Sequence, residues 1–100
     1  MSKEIKTPSW LAVRADGVTV TLSKASQANG VQIDKVVMRA PTVRDIRAAQ
    51  ATAGGDDEQR ELNLFASLAE VGPHDLEALT LKDYSRLQAG YFRLVQDDEL

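Results

Sequence analysis

The stretch from Val36 to Asp45 reads Val-Val-Met-Arg-Ala-Pro-Thr-Val-Arg-Asp, and it divides the chain into an extended half and a helical half. Pro41 favours extended geometry at the residue before it, because its ring clashes with a helical neighbour. Thr42 is a favourable helix N-cap, and Asp45 follows it at the spacing of a capping box, with Asp in place of the usual Glu. A strand is therefore expected to end at Pro41 and a helix to begin at Thr42.

Two strands are predicted before this junction. Residues 18–23 alternate apolar side chains with Thr and Ser, which is typical of a half-buried strand. Residues 24–29 read as a polar loop that ends in an Asn-Gly turn. A second strand is predicted over 31–39, and its apolar residues change parity near Asp34. A β-bulge at that point would return all of them to one face.

Three to four helices are predicted after the junction. Their approximate bounds are 42–53, 56–71, a short turn at 74–79, and a last helix from 80 onward. Gly72 suits the left-handed position after the second helix. Thr80 is a favourable N-cap for the last helix, and Asp83 again follows at the capping-box spacing.

These patterns predict an α+β fold, in which an N-terminal β-hairpin is followed by a small bundle of three to four α-helices. The predicted organisation is a partly ordered arm over 1–16, a single domain over 17–96 and an acidic tail over 97–100. A two-stranded hairpin is marginally stable in water. It is therefore expected to pack on the helices or to pair its edges with another chain.

Composition limits the functional classes. The chain has 100 residues, of which 43% are apolar, and its net charge is -3. It has no basic excess to attract nucleic acid and no apolar run long enough for a bilayer. It contains no cysteine for a disulfide or a thiolate metal site, and the start of the sequence does not resemble a signal peptide. A soluble intracellular protein is expected, without a nucleic-acid or membrane partner.

No arrangement of residues points to catalysis, to a metal site or to a cofactor. His74 is the one histidine. Asp75 follows it, but the chain has no cysteine nucleophile for the pair to activate and too few further nitrogen or sulfur ligands for a zinc site.

Arg39, Arg44 and Arg47 form a locally basic region, which is interpreted as a solvated face. The acidic segment 56–60 is expected to form ion pairs with these arginines, within the chain or between chains.

Six residues are candidates for partner binding: Trp10, Val20, Leu22, Tyr84, Tyr91 and Phe92. Trp10 either tucks onto the domain or anchors a partner, since large amphipathic rings often dominate interface energy. Tyr84 and Tyr91 fit core or oligomer contacts, whereas Phe92 lies off the main apolar stripe. The structural caps are expected at Pro41, Thr42, Asp45, Gly72, Thr80 and Asp83.

Three blocks of sequence occur in an order that points to a family. They are Gly30 with Met38-Arg39-Ala40-Pro41-Thr42 and Asp45-Ile46, then Glu61-Leu62 with Leu64 and Leu68, then Val71-Gly72-Pro73 with Asp75-Leu76, Leu79 and Asp83-Tyr84. Their order and spacing resemble the small tail assembly chaperones of Mu-like and P2-like contractile-tailed phages and prophages. The likeness runs from about Val18 to Val95 and leaves out the arm at 8–16.

The resemblance implies a non-enzymatic role. Such proteins bind the tape measure protein and keep it soluble before tail tube subunits polymerise around it. The implied partners are the tape measure protein, further copies of the chain in a homo-oligomer, a frameshifted longer form and the tail tube protein. The implied location is the cytoplasm of the bacterial host, not the mature virion. The alternative is a generic protein-interaction adaptor or a minor structural subunit of a phage tail.

Overall fold

The computed structural model describes residues 7–96. The elements are β1 (Leu11–Arg14), β2 (Gly17–Ala28), β3 (Val31–Arg39), α1 (Val43–Ala51), α2 (Asp57–Ala69), α3 (Pro73–Glu77) and α4 (Leu81–Val95). The fold is α+β, with an N-terminal antiparallel sheet followed by four helices, which confirms the predicted fold class. The predicted acidic tail at 97–100 and the first six residues of the predicted arm lie outside the described residues.

The sheet is a meander in the order β1-β2-β3. Asn29 and Gly30 join β2 to β3 with φ angles of 55° and 78°, which is the backbone of a type I′ hairpin turn. β1 was not predicted, because its four residues are too few to show alternation. Leu11 and Val13 pair with Val20 and Val18, so this part of the predicted arm adds a third strand to the hairpin.

β2 also continues through most of the segment that was predicted as a polar loop. Its register with β3 shifts between Thr21 and Ser26, where four residues of β2 oppose the single residue Asp34. An irregularity was expected near Asp34, but the extra residues lie in β2. The shift brings Ile33 against the core, whereas Val31 stays 62% exposed.

The core lies between one face of the sheet and helices α2 and α4. Its most deeply buried apolar side chains are Phe65, Met38, Leu68, Leu87, Val18 and Val20. Gly90 allows α4 to approach the sheet closely. A Cβ atom at this position would lie 3.2 Å from both Leu11 Cδ1 and Val20 Cγ2. Close packing of α4 on β1 and β2 therefore depends on the absence of a side chain at residue 90.

The junction between β3 and α1 contains the expected capping box. Thr42 Oγ1 accepts a hydrogen bond from the Asp45 N–H at 3.2 Å, and Asp45 Oδ2 accepts one from the Thr42 N–H at 2.8 Å. Arg39 donates to both carboxylate oxygens of Asp45, at 2.8 and 2.9 Å. This paired hydrogen bond from Arg39 holds the pKa of Asp45 well below its usual range. The end of β3 is thus joined to the start of α1 just across the half-buried Pro41.

Gly72 does not occupy the left-handed position that was predicted for it. Helix α2 ends earlier, at Ala69, and its C-cap Glu70 is the left-handed residue, with a φ of 59°. The Glu70 carbonyl accepts a hydrogen bond from Asn29 Nδ2 at 3.2 Å, which ties this turn to the β2–β3 hairpin. Gly72 is instead the extended N-cap of α3, and its N–H donates to Asp75 Oδ2 at 3.0 Å.

Asp83 connects the start of α4 to the irregular part of β2. Thr80 Oγ1 accepts from the Asp83 N–H at 3.2 Å, as in a capping box. The Asp83 carboxylate, however, accepts from the Ser23 N–H at 2.7 Å and from the Lys24 N–H at 3.2 Å. Asp83 is fully buried, and burial by itself raises the pKa of this carboxyl. The hydrogen bonds from Ser23, Lys24 and Thr80 outweigh that effect, so the pKa of Asp83 is lowered.

Thr42→Ala is expected to lower the free energy of unfolding by about 1 kcal/mol, the usual cost of losing an N-cap hydroxyl. Thr42→Ser retains the hydroxyl and serves as the matched control. Urea unfolding followed by circular dichroism measures both variants. Equal stability of the two variants would show that the hydrogen bond from the Asp45 N–H contributes nothing.

Asp83→Asn is expected to lower the free energy of unfolding at neutral pH by about 2 kcal/mol. Hydrogen bonds to a charged acceptor contribute about 1.5–3 kcal/mol, and an amide nitrogen cannot accept from a backbone N–H. Because folding lowers the pKa of Asp83 beneath its ordinary value of 3.8, its stabilisation is complete above that pH. The stabilisation is lost as the pH falls through the lower value of the folded protein.

The difference in unfolding free energy between wild type and Asp83→Asn should therefore shrink as the solution is acidified below pH 3.8. Asp34→Asn, which changes an exposed carboxylate on β3, is the control and should have little effect at neutral pH. If Asp83→Asn is no more destabilising than Asp34→Asn, the carboxylate does not hold the irregular strand.

Candidate functional site

The side chains of His74 and Asp75 lie close together at the start of α3. The His74 side chain is 82% exposed, and its Nε2 lies 3.4 Å from Asp75 Oδ1. Asp75 Oδ2 accepts from the backbone N–H groups of Asn29 and Gly72, so this carboxylate holds α3 to the hairpin turn. Within residues 7–96 no group of His, Cys, Asp or Glu side chains is arranged to hold a metal ion. In the same range, no helix combines the length and the apolarity needed to cross a membrane.

Two of the residues predicted to bind partners lie in the core. Val20 has no exposed surface, and Leu22 is 6% exposed. Helix α4 covers the face of β2 that carries Val20 and Leu22. Val20 lies directly against α4 at Gly90. The alternation of β2 identified the apolar face correctly, but the chain's own helix already occupies it. These two side chains are therefore not available at the surface of the folded chain.

Tyr84 and Tyr91 pack around the buried Phe65. The ring centroids of Tyr84 and Tyr91 lie 5.7 and 5.1 Å from that of Phe65, in tilted arrangements. Burial raises the pKa of both tyrosines. For Tyr84, a hydrogen bond of 2.9 Å to Glu61 Oε1 raises the pKa further. Both rings are only half-buried, so each presents one edge to the surface.

Trp10 is held against the domain by Arg86. The guanidinium carbon lies 4.9 Å from the centroid of the indole ring, within the range of a cation–π contact. Arg86 Nη1 also donates to the Thr21 carbonyl at 2.8 Å. Trp10 is half-buried, and its own carbonyl accepts from the Thr21 N–H. The backbone of Trp10 therefore extends the pairing of β1 with β2. Of the two alternatives given for Trp10, the placement of the ring corresponds to the one in which it tucks onto the domain.

Phe92 is the predicted partner-binding residue with the greatest exposure, at 64%. Val95 lies about one turn further along α4 and is 47% exposed. We call these two residues the α4 patch. The patch is at the C-terminal end of a helix whose N-terminal end is fixed by Asp83.

A groove of about 460 Å³ opens between α2, α3 and α4, and we call it the acidic groove. Its lining residues are Glu58, Glu61, Leu62, Leu76, Glu77, Leu79, Leu81, Tyr84 and Gln88. The apolar part is mostly leucine, and Leu81 is 80% exposed. The charged side chains in this lining are all glutamates. Such a surface matches a segment that carries both apolar and basic side chains.

The glutamates of the groove differ in whether they interact with other side chains of the domain. Glu61 accepts hydrogen bonds from Tyr84 Oη and from Gln88 Nε2, both at 2.9 Å. Glu58 and Glu77 are exposed, and neither has a cationic partner within 4.0 Å in the part of the chain that the structure describes. The groove therefore retains two carboxylates for an outside partner.

The exposed side of α1 has the opposite charge. Val43, Arg44, Arg47 and Ala48 line a shallow depression there, which we call the basic face of α1. Val43 is 77% exposed. Arg44 and Arg47 have no acidic partner within 4.0 Å among residues 7–96. The third arginine of the predicted basic region, Arg39, differs because it is bound to Asp45.

The acidic groove was not recognised from the sequence, because its walls come from three helices. A local signal did exist in α2, where Glu58, Glu61 and Leu62 have the spacing of one helix face. Leu81 is apolar, but it lies at the start of α4, where neighbouring helices do not cover it. Which face of a helix other helices cover is a tertiary property that spacing alone does not give.

The chain was compared with known families, curated proteins and solved structures. The family described as "Phage tail assembly chaperone proteins, E, or 41 or 14" matches residues 19–96. No curated protein and no solved structure matches the chain significantly. The matched region begins in β2 and ends just after α4, so it contains both the α4 patch and the acidic groove, whereas β1 lies outside it. The protein belongs to the phage tail assembly chaperone family.

Proposed function

We propose that the protein binds the tape measure protein and keeps it soluble while the tail tube assembles, without catalysing a reaction. The family match from β2 to the end of α4 is the observation that carries this proposal. A long helical client exposes apolar surface until tube subunits enclose it, and a chaperone must cover that surface reversibly. The exposed apolar side chains of this domain are suited to that task.

The α4 patch is proposed as the contact for the client. Exposed aromatic side chains backed by a packed core are frequent anchors of protein interfaces. Phe92 has this arrangement, because its neighbour Tyr91 packs on Phe65 and α4 is held against the sheet. The acidic groove, Trp10 and the basic face of α1 are separate surfaces and are not required for this contact.

The remaining partners and the location follow from the same proposal. The protein acts in the cytoplasm of the bacterial host and forms a homo-oligomer. It works together with a frameshifted longer form and delivers its client to the tail tube protein. Its association with the client is reversible, so that tube subunits replace it.

Co-expression in bacteria is expected to raise the soluble fraction of a tape measure fragment encoded by the same phage or prophage. The fragment should also co-purify with the chaperone. Phe92→Ser should reduce both quantities several-fold, because loss of an aromatic anchor typically costs about 2 kcal/mol or more of binding energy. The readouts are the soluble fraction by gel densitometry and the yield of the co-purified fragment.

Val37→Ser is the matched control. Val37 is 60% exposed on the outer face of the sheet, away from α4. This variant should retain the client as well as wild type does, and thermal unfolding should show that both variants are folded. An unchanged soluble fraction with wild-type chaperone would contradict the proposed function. If Phe92→Ser and Val37→Ser reduce the soluble fraction of the fragment equally, the α4 patch is not the contact for the client.

The protein is expected to be absent from mature virions, because a chaperone leaves when the tail is complete. Quantitative mass spectrometry of purified particles measures this, with the tail tube protein as the internal standard. A constant, stoichiometric amount in particles would instead support the alternative role of a minor structural subunit of the tail.

A further inference from the structure

We propose that the basic face of α1 in one copy docks in the acidic groove of a second copy. The inference deepens the proposed function, since it assigns surfaces to the self-association that the function includes. It does not involve the tape measure protein, so it can be tested on the purified chaperone alone.

The two surfaces have complementary charge. The basic face of α1 presents Arg44 and Arg47, and the acidic groove presents Glu58 and Glu77. None of these four side chains has an oppositely charged partner within 4.0 Å in the described part of its own chain. Opposed patches of this kind direct association and fix the register of the contact.

The apolar parts of the two surfaces also match. Val43 projects from the basic face and Leu81 from the mouth of the groove, and these are the two most exposed large apolar side chains in the described chain. Ala48 has a small side chain, which lets the α1 backbone approach the groove wall closely. The opposite side of α1, with Ile46 and Ala49, faces α2 of its own chain and would stay there.

The first turn of α1 adds a further favourable contribution. A helix N-terminus carries a partial positive charge, which favours nearby carboxylates. Val43 and Arg44 are the first two residues of α1, so the docked N-terminal turn would lie near the glutamates of the groove. The capping box at Thr42 and Asp45 fixes this end of the helix before it meets a partner.

The symmetry of the contact follows from its two surfaces. The basic face and the acidic groove share no residue, so the interface is heterologous unless two copies exchange contacts around a two-fold axis. Repetition of a heterologous contact builds a ring or a helical filament. α1 has nine residues, so one such contact is smaller than a standard stable interface. Assembly is therefore expected to be weak and to depend on concentration and salt.

Sedimentation velocity on the purified protein tests the contact. Wild type should form oligomers as its concentration rises, and high salt should weaken them. Arg44→Glu/Arg47→Glu and Glu58→Arg/Glu77→Arg should each weaken self-association about tenfold or more, because like charges then face each other. An equimolar mixture of the two variants should recover the wild-type behaviour. In the mixture each altered groove meets an altered α1, and each native groove meets a native α1.

Arg14→Glu/Lys35→Glu is the matched control for the arginine variant. Both residues are exposed on the strands, and the change in net charge is the same. This control should assemble as wild type does. Circular dichroism should show that every variant is folded.

Three results would overturn the inference. They are a wild-type protein that stays monomeric at all concentrations, charge variants that assemble normally, and a mixture that fails to recover. A groove variant that assembles normally but loses the tape measure fragment in the co-expression assay would show that the client occupies the groove. Failure of that assay with wild type would contradict the proposed function and leave the sedimentation result as a separate finding.

Discussion

The contact between Asp83 and the irregular segment of β2 is the constraint on which the rest of the fold depends. A register shift leaves backbone N–H groups without partners in the sheet, and a buried N–H group without a partner is costly. The Asp83 carboxylate accepts from two of them, at Ser23 and Lys24. The irregular strand thus becomes compatible with a packed core, and α4 acquires a fixed position over the sheet. Gly90, seven residues after Asp83, then allows the helix to lie close to β1 and β2.

This fixed helix separates the surfaces of the molecule. One side of α4 contributes Tyr84 and Gln88 to the acidic groove, while its far end carries Phe92 at the surface. The basic face of α1 lies on another helix, which is itself anchored to β3 through Arg39 and Asp45. The surfaces proposed for the client and for further copies of the chain therefore share no residue.

Local features of the sequence predicted much of this architecture. The capping box at Thr42, the helix bounds and the Asn-Gly turn depend on residues close together in the chain, and they were recognisable there. Long-range features were missed. The predicted loop at 24–29 is largely strand, because residues 26–28 pair with β3 and the Lys24 N–H donates to Asp83 of α4. Val20 and Leu22 were correctly placed on an apolar face, but the sequence does not reveal that α4 covers it. The acidic groove required three helices to be placed in space.

The order of the strands has a consequence for the timing of folding. The meander is joined by two-residue turns, and hairpins of this kind form within about 1–10 μs. Helix α4 follows the strands and the other three helices in the chain, and Asp83 lies 60 residues after Ser23. At about 5–20 residues per second, a ribosome needs several seconds to make that interval. During synthesis, therefore, the part of the inner face that α4 covers, which includes Val18 and Val20, remains without its helix for far longer than the hairpins need to form.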